Sequence, residues 1–261
     1  MIDLKDRIHQ SATRLLGRLY RIIESQEEVA TRSLVDSLHK QEVLENLLET
    51  SKPARLPGSE HLHYLLATPF RYPPLPWGSR FGRVGENGIF YGSKTVNTVL
   101  AEAAYYRLLF LQDMAQPPAD PITSYHQIFS AKYNAEPGVR LQSAEWESHW
   151  LNLAHCADYT FCQQLGTQLR ECGIQGIETI SARALCTGLI RLPPDSAVDG
   201  INVALFDPRA LIPRPPNIEA EVTAEVAPEG VLFLLKSAEG ITSKHFSYDS
   251  FHDSGQLPVP A

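Results

Sequence analysis

No window of the chain approaches eighteen uninterrupted apolar residues, so the sequence offers no transmembrane helix. The first residues, Met1-Ile2-Asp3-Leu4-Lys5-Asp6-Arg7, lack a basic segment followed by an apolar one. No secretory leader is therefore expected, and the reading is of a cytoplasmic protein. Cysteine is sparse, with only Cys156, Cys162, Cys172 and Cys186. Their spacing forms no CxxC pair, which argues against structural zinc and leaves small buried side chains as the expected role. A basic surplus is also missing: 23 Lys and Arg against 30 Asp and Glu give a formal net charge of -7. A protein that holds nucleic acid by its phosphates usually carries the opposite balance, so direct nucleic-acid binding is not expected. A local basic cleft for a small anion stays open, because net charge does not describe one pocket.

The 261 residues, 43% hydrophobic and 20% charged, have the make-up of an ordinary globular protein. Between Leu4 and Leu48 there is no proline and only Gly17 as a breaker. Leu15, Leu19, Ile22 and Ile23, then Leu34, Leu38, Val43 and Leu47, recur at helical spacing. These spacings predict an N-terminal helical extension over residues 1–50, as one or two helices. Its apolar stripe would need a docking surface, and a homodimer is the expected use. Residues 51–62, with Pro53, Pro57 and Gly58, read as a linker before a main domain over 63–261.

Within that domain, Tyr64-Leu65-Leu66-Ala67 reads as the start of a strand, and Gly88-Ile89-Phe90-Tyr91 as a short one. Ser93 is a candidate N-cap for a helix over Thr95 to Gln112. The Pro-rich and polar stretch from Pro117 to Asn134 reads as loop. Asp158 to Glu171 reads as helix, stopped by Gly173. Residues 177–181, 201–206 and 231–235 read as strands, the last of these closing the fold. The mixture predicts an α+β fold with short, partly antiparallel strands.

Chemistry concentrates between Trp77 and Ser93, where glycines, Arg80, Arg83 and aromatic residues are interleaved. Glycines let backbone approach a ligand, arginine offers a planar fork to phosphate oxygens, and aromatic rings stack on flat heterocycles. The composition suits a phosphorylated nucleotide, but taken alone it favours a Gly-rich turn between strands with solvent-facing arginines. Neither a P-loop nor a G-x-G-x-x-G spacing is present. Glu102 follows Tyr91 by eleven residues, beside the stripe of Val99, Tyr106 and Phe110. His149 and His155 near Cys156 read as core or surface residues, since no third ligand or orienting carboxylate accompanies them.

In order along the chain, Gly78-Ser79-Arg80-Phe81, Tyr91-Gly92-Ser93 and Ala101-Glu102 resemble the opening signature of the RES domain family. Ile180-Ser181-Ala182-Arg183 and the Gly200, Asn202 and Phe206 positions resemble its later motifs, and Arg71 fits its earlier arginine. The resemblance runs from about Leu65 to Leu211, with Ser79 in place of a glycine and Phe81 in place of the commoner tryptophan. It implies a fold similar to ADP-ribosyltransferases and a toxin that splits NAD⁺ at the nicotinamide–ribose bond. Glu102, Arg80, Ser181 and Tyr91 would be catalytic, and Arg71, Arg80, Tyr91 and Ser181 would contact the dinucleotide. NAD⁺ would be substrate, with inorganic phosphate or water as the acceptor, and no metal would be needed. The implied partner is an antitoxin, Xre-like and carrying the DNA contacts itself. Transfer of ADP-ribose to a protein, and an inactive nucleotide-binding module, are the competing readings.

Overall fold

The computed structural model describes residues 4–25, 37–74, 76–196, 198–252 and 256–259. Its elements, in chain order, begin with α1 (Leu4–Ser11), β1 (Ala12–Glu24), α2 (Leu38–Ser51), α3 (Tyr64–Arg71), β2 (Phe90–Ser93) and α4 (Val96–Gln112). Then come β3 (Ile122–Arg140), α5 (Trp150–Leu153), α6 (Thr160–Glu171), β4 (Gly176–Ile180), α7 (Ala182–Cys186) and β5 (Ile201–Leu205). Three consecutive strands end the order: β6 (Asn217–Ala227), β7 (Gly230–Ser237) and β8 (Gly240–Ser247). The fold is α+β, as the sequence predicts.

All eight strands join one sheet in the order β1-β2-β5-β4-β3-β6-β7-β8. β1 also pairs with β3, so the first five strands in that order close into a ring. Every pairing is antiparallel except β3 with β4, where Gly138 to Arg140 lie beside Gly176 to Glu178. β3 is the axis of the molecule. It lies against β1 along nearly its whole length and against β6 over its first half.

Three apolar clusters hold the layers together. One places Phe81, Trp146, Leu165, Ile177, Ile180 and Ala204 under α5, α6 and α7. A second packs Leu100, Tyr105 and Leu108 of α4 onto Val222, Phe233 and Phe246 of the last three strands. The third gathers Leu15, Leu19, Phe90, Tyr133, Val203 and Leu205 from ring strands beneath Leu66 and Phe70 of α3. Beside this third cluster Glu178, 1% exposed, takes hydrogen bonds from the Tyr133 hydroxyl at 2.6 Å and from Lys94 and Gln142 at 3.1 Å each. A buried carboxylate is tolerated only with such a set of donors.

Four expectations are corrected. Residues 12–24 are a strand and not part of an N-terminal helix, so the helical reading of 1–50 holds in the described part only for α1 and α2. Leu15 and Leu19 are four apart, an even spacing that shares a face in a strand as well as in a helix. Both are fully buried in the third cluster. Leu34 lies outside the described residues, while Val43 and Leu47 are exposed on α2. Tyr64 to Ala67 opens a helix, α3, whose N-cap is His63: its ring accepts from the Leu65 amide. The stretch read as loop before Asn134 contains β3, because the prolines at 117, 118 and 121 all precede Ile122. Beyond them Tyr125, Ile128, Phe129 and Tyr133 supply the bulky side chains that strands favour. β7 is followed by β8, a polar and largely exposed edge strand that gave no hydrophobic signal. Among the described residues no helix is long and apolar enough to cross a membrane.

Candidate active site

Glu102 sits in the second turn of α4, whose N-cap is Thr95 and not Ser93. Its Oε1 accepts two short hydrogen bonds, from Ser181 Oγ and from Asn202 Nδ2, both at 2.6 Å. Each donor is itself fixed. Ser181 joins β4 to α7, is fully buried, and its Oγ also accepts from the Ala184 amide at 3.0 Å as the helix cap. Asn202 projects from β5, and its Oδ1 accepts from Ser93 Oγ at 2.6 Å. Ser93, Asn202, Glu102 and Ser181 therefore form one chain of hydrogen bonds across β2, β5, α4 and α7. The carboxylate is held by neutral donors, which orient it without neutralising its charge.

Arg80 lies at the tip of a tight turn closed by Ser79 and Gly82, whose backbones exchange hydrogen bonds of 2.7 and 3.2 Å. Tyr91 secures this turn from β2: its hydroxyl accepts from the Phe81 amide at 3.1 Å and pairs with Ser79 Oγ at 3.0 Å. Burial pushes the Tyr91 phenol up to about 12, so it stays neutral. α6 clamps the other side. Gln163 donates to the carbonyls of Trp77 and Ser79, and Arg170 bridges the Phe81 carbonyl and Glu86. The α6 backbone packs directly on the turn at Gly166, where a Cβ would fall 2.0 Å from the Phe81 carbonyl oxygen.

The Arg80 guanidinium donates to the carbonyls of His155 at 2.8 Å and Leu153 at 3.2 Å, and lies 4.2 Å above the Tyr159 ring. Burial alone would lower its basicity. The field of Tyr159, Cys162, Glu102 and Tyr106 outweighs burial and raises the group above its ordinary value. Arg80 and Glu102 thus share one electrostatic neighbourhood, which Tyr105, Tyr106, Tyr159 and Arg183 complete.

Of the sequence-derived residues, Glu102 and Ser181 are in direct contact, Arg80 stands in their field, and Tyr91 supports the Arg80 turn. Arg71 points elsewhere. Its Nε bonds the Pro53 carbonyl, and it lines a basin of about 230 Å³ with Lys52, Arg55, Tyr64, Ala67 and Thr68. Another arginine reaches the Tyr91 strand: Arg21 of β1 donates to the Tyr91 carbonyl at 2.8 Å and lies 5.2 Å from the Phe90 ring centroid. Burial lowers it to about 10. Arg21 was hidden because its stretch reads as helix. Asn202, Arg183 and Tyr159 were not singled out by sequence, although the first two lie inside the recognised motifs. His149 stacks on Phe161, and His155 accepts from the amides of Ala157 and Asp158. Cys162 is buried, Cys156 and Cys172 are half-buried, and Cys186 is exposed.

The RES domain profile matches residues 52–223 of the chain, a span that holds Arg80, Tyr91, Glu102, Ser181, Arg183 and Asn202. Comparison with curated proteins returns no match. Among solved structures, a chain from the crystal structure of the M. tuberculosis MbcT–MbcA toxin–antitoxin complex is similar over 86% of this chain and 92% of that one. Its identity is 11% and its TM-score 0.46. With the ordered motifs lying inside a match that spans most of its length, the chain belongs to the RES domain family.

Proposed function

We infer that the chain is a toxin that cleaves NAD⁺ at the bond between nicotinamide and ribose, with phosphate or water as acceptor. The observation that carries this reading is the Glu102 carboxylate, held by Ser181 and Asn202 at 2.6 Å each, with the Arg80 guanidinium in its field. Nicotinamide leaves NAD⁺ as a neutral molecule from a cationic ring, so its departure needs little acid catalysis. Breaking the bond builds positive charge on the ribose, as in glycoside cleavage. A fixed, ionised carboxylate meets that charge without having to reorganise. Ser181 and Asn202 hold Oε1, and the other carboxylate oxygen is the one that faces ribose.

Arg80 serves the anionic part of the substrate. Its position is set by two carbonyls and the Tyr159 ring, so it meets phosphate already oriented. Tyr91 acts by holding the Arg80 turn, and no metal enters the chemistry. The resemblance to ADP-ribosyltransferases suggests the same bond cleavage with a protein acceptor as the alternative. An enzyme that consumes NAD⁺ inside its own cell needs restraint, so the account includes a cognate antitoxin, Xre-like, that covers the site.

Substituting Glu102→Gln keeps size, hydrogen-bonding capacity and helix propensity but removes the charge. NAD⁺ turnover is expected to fall on the order of 10²-fold or more. Circular dichroism should show the parent fold. Parent-level turnover in the folded variant removes Glu102 from the mechanism and the reading with it.

A further inference from the structure

Arg183 is the one fully buried arginine of the described residues, 1% exposed, and the proposed chemistry has not used it. Its guanidinium lies 3.4 Å from the centroid of the Tyr105 ring, and Nη2 makes a long hydrogen bond of 3.4 Å to the Tyr159 hydroxyl. Nε and Nη1 are buried without any hydrogen-bond partner, and no acidic side chain among the described residues pairs with the group. Arg170 and Arg107 each bury one nitrogen without a partner, Nη2 and Nε, but their other nitrogens are well served: Arg170 has Glu86, and Arg107 has Ser124 and His126. Keeping a cation out of water with only a ring face and one long hydrogen bond is costly, and replacing it with an apolar side chain should relieve that cost.

Its place gives the cost a purpose. Arg183 lies two residues after Ser181, whose hydroxyl holds Glu102. Arg80 stacks on the face of the same Tyr159 ring whose hydroxyl meets Arg183, so the two guanidiniums bracket one phenol. Tyr105 and Tyr159 are buried, whereas Tyr106 is 51% exposed with its hydroxyl end against Tyr159. Tyr106 is therefore the solvent-side wall of the cluster.

We propose that Arg183 is the second cation of a diphosphate subsite: the anionic middle of the dinucleotide enters past Tyr106 and supplies the partners that Nε and Nη1 lack. Arg80 grips the same diphosphate from the other side of Tyr159. This rests on the NAD⁺ reading of the site and adds to it the group that takes the phosphates. A planar guanidinium with two free N–H edges suits two phosphate oxygens better than an ammonium would.

Calorimetry on the inactive Glu102→Gln protein tests it with two probes: ADP-ribose, which carries the diphosphate, and nicotinamide riboside, which carries none. Adding Arg183→Met should weaken ADP-ribose at least tenfold, leave nicotinamide riboside unchanged, and leave the melting temperature equal or higher. Arg183→Lys should keep part of the ADP-ribose affinity, which guards against a variant that fails to fold. Unchanged ADP-ribose affinity in Arg183→Met overturns the proposal. So does a parallel loss of both probes with a lower melting temperature, the mark of a structural arginine. A Glu102→Gln parent that binds neither probe removes the NAD⁺ reading first and this inference with it.

Discussion

In the proposed reaction the deciding residue is Glu102, and its neighbours set how well it can act. One oxygen of the carboxylate receives both side-chain hydrogen bonds, from Ser181 and Asn202, leaving the other for substrate. Hydrogen bonds to a charged group contribute about 1.5–3 kcal/mol. Asn202→Ala should therefore lower kcat/KM on the order of tenfold or more, less than Glu102→Gln, and should also lower stability by about 1–3 kcal/mol, because the buried Ser93 hydroxyl loses its acceptor. Steady-state kinetics on the folded variant measures this, and parent-level kcat/KM contradicts the positioning role. Ordered motifs point to Arg80, Tyr91, Glu102 and Ser181, of which the fold puts Glu102 and Ser181 in contact and sets Tyr91 on the Arg80 turn. The sequence passed over Asn202, Tyr159 and Arg183 because their roles arise only from which partners the fold brings to them. Arg71 is not brought to this group. A motif position nine residues before Arg80 looked suitable, but α3 turns its side chain to the Pro53 carbonyl.

At the scale of elements, the clamp on the Arg80 turn comes from α6. Its packing depends on Gly166, since a methyl group there would collide with the Phe81 carbonyl. Gly166→Ala should then push the helix and turn apart, a strain of the kind that costs about 1–3 kcal/mol in a packed interior. The expected outcome is a lower melting temperature together with weaker NAD⁺ binding, as Arg80 leaves its stack on Tyr159. A melting curve and a binding isotherm check both, and a variant with parent stability contradicts the contact. Helices α4 and α6 were legible because both are free of internal proline, α4 is long, and α6 is apolar on one side. β1 and β3 were not. The even spacing of Leu15 and Leu19 fits two periods, and a strand buried between neighbours need not alternate cleanly.

For the whole molecule, closure of five strands into a ring brings β1 beside both β2 and β3, which no local pattern announces. The long axis strand also carries His126, buried against Arg107, whose guanidinium donates to it. Burial, then the Arg107 charge, lowers this imidazole from its ordinary 6.5 to about 4. Between those values the unfolded chain binds a proton that the native chain refuses, so stability falls as pH drops through that window and is intact above it. The contribution is about 2 kcal/mol at most, allowing for partial solvent screening. Melting temperature against pH should decline more steeply from 6.5 to 4 in the parent than in His126→Gln, which keeps an acceptor for Arg107. Parallel curves contradict the assignment.

The central claim concerns the reaction itself, and one incubation tests it most directly. Purified, folded protein is mixed with NAD⁺, with and without inorganic phosphate, and the products are identified by mass. Free nicotinamide is expected with phosphate present, and without phosphate as well where water is the acceptor. ADP-ribose should accompany it when water is the acceptor, and ADP-ribose phosphate when phosphate attacks. Glu102→Gln run alongside should leave NAD⁺ almost untouched. Intact NAD⁺ after prolonged incubation with the folded parent, under both conditions, contradicts the account.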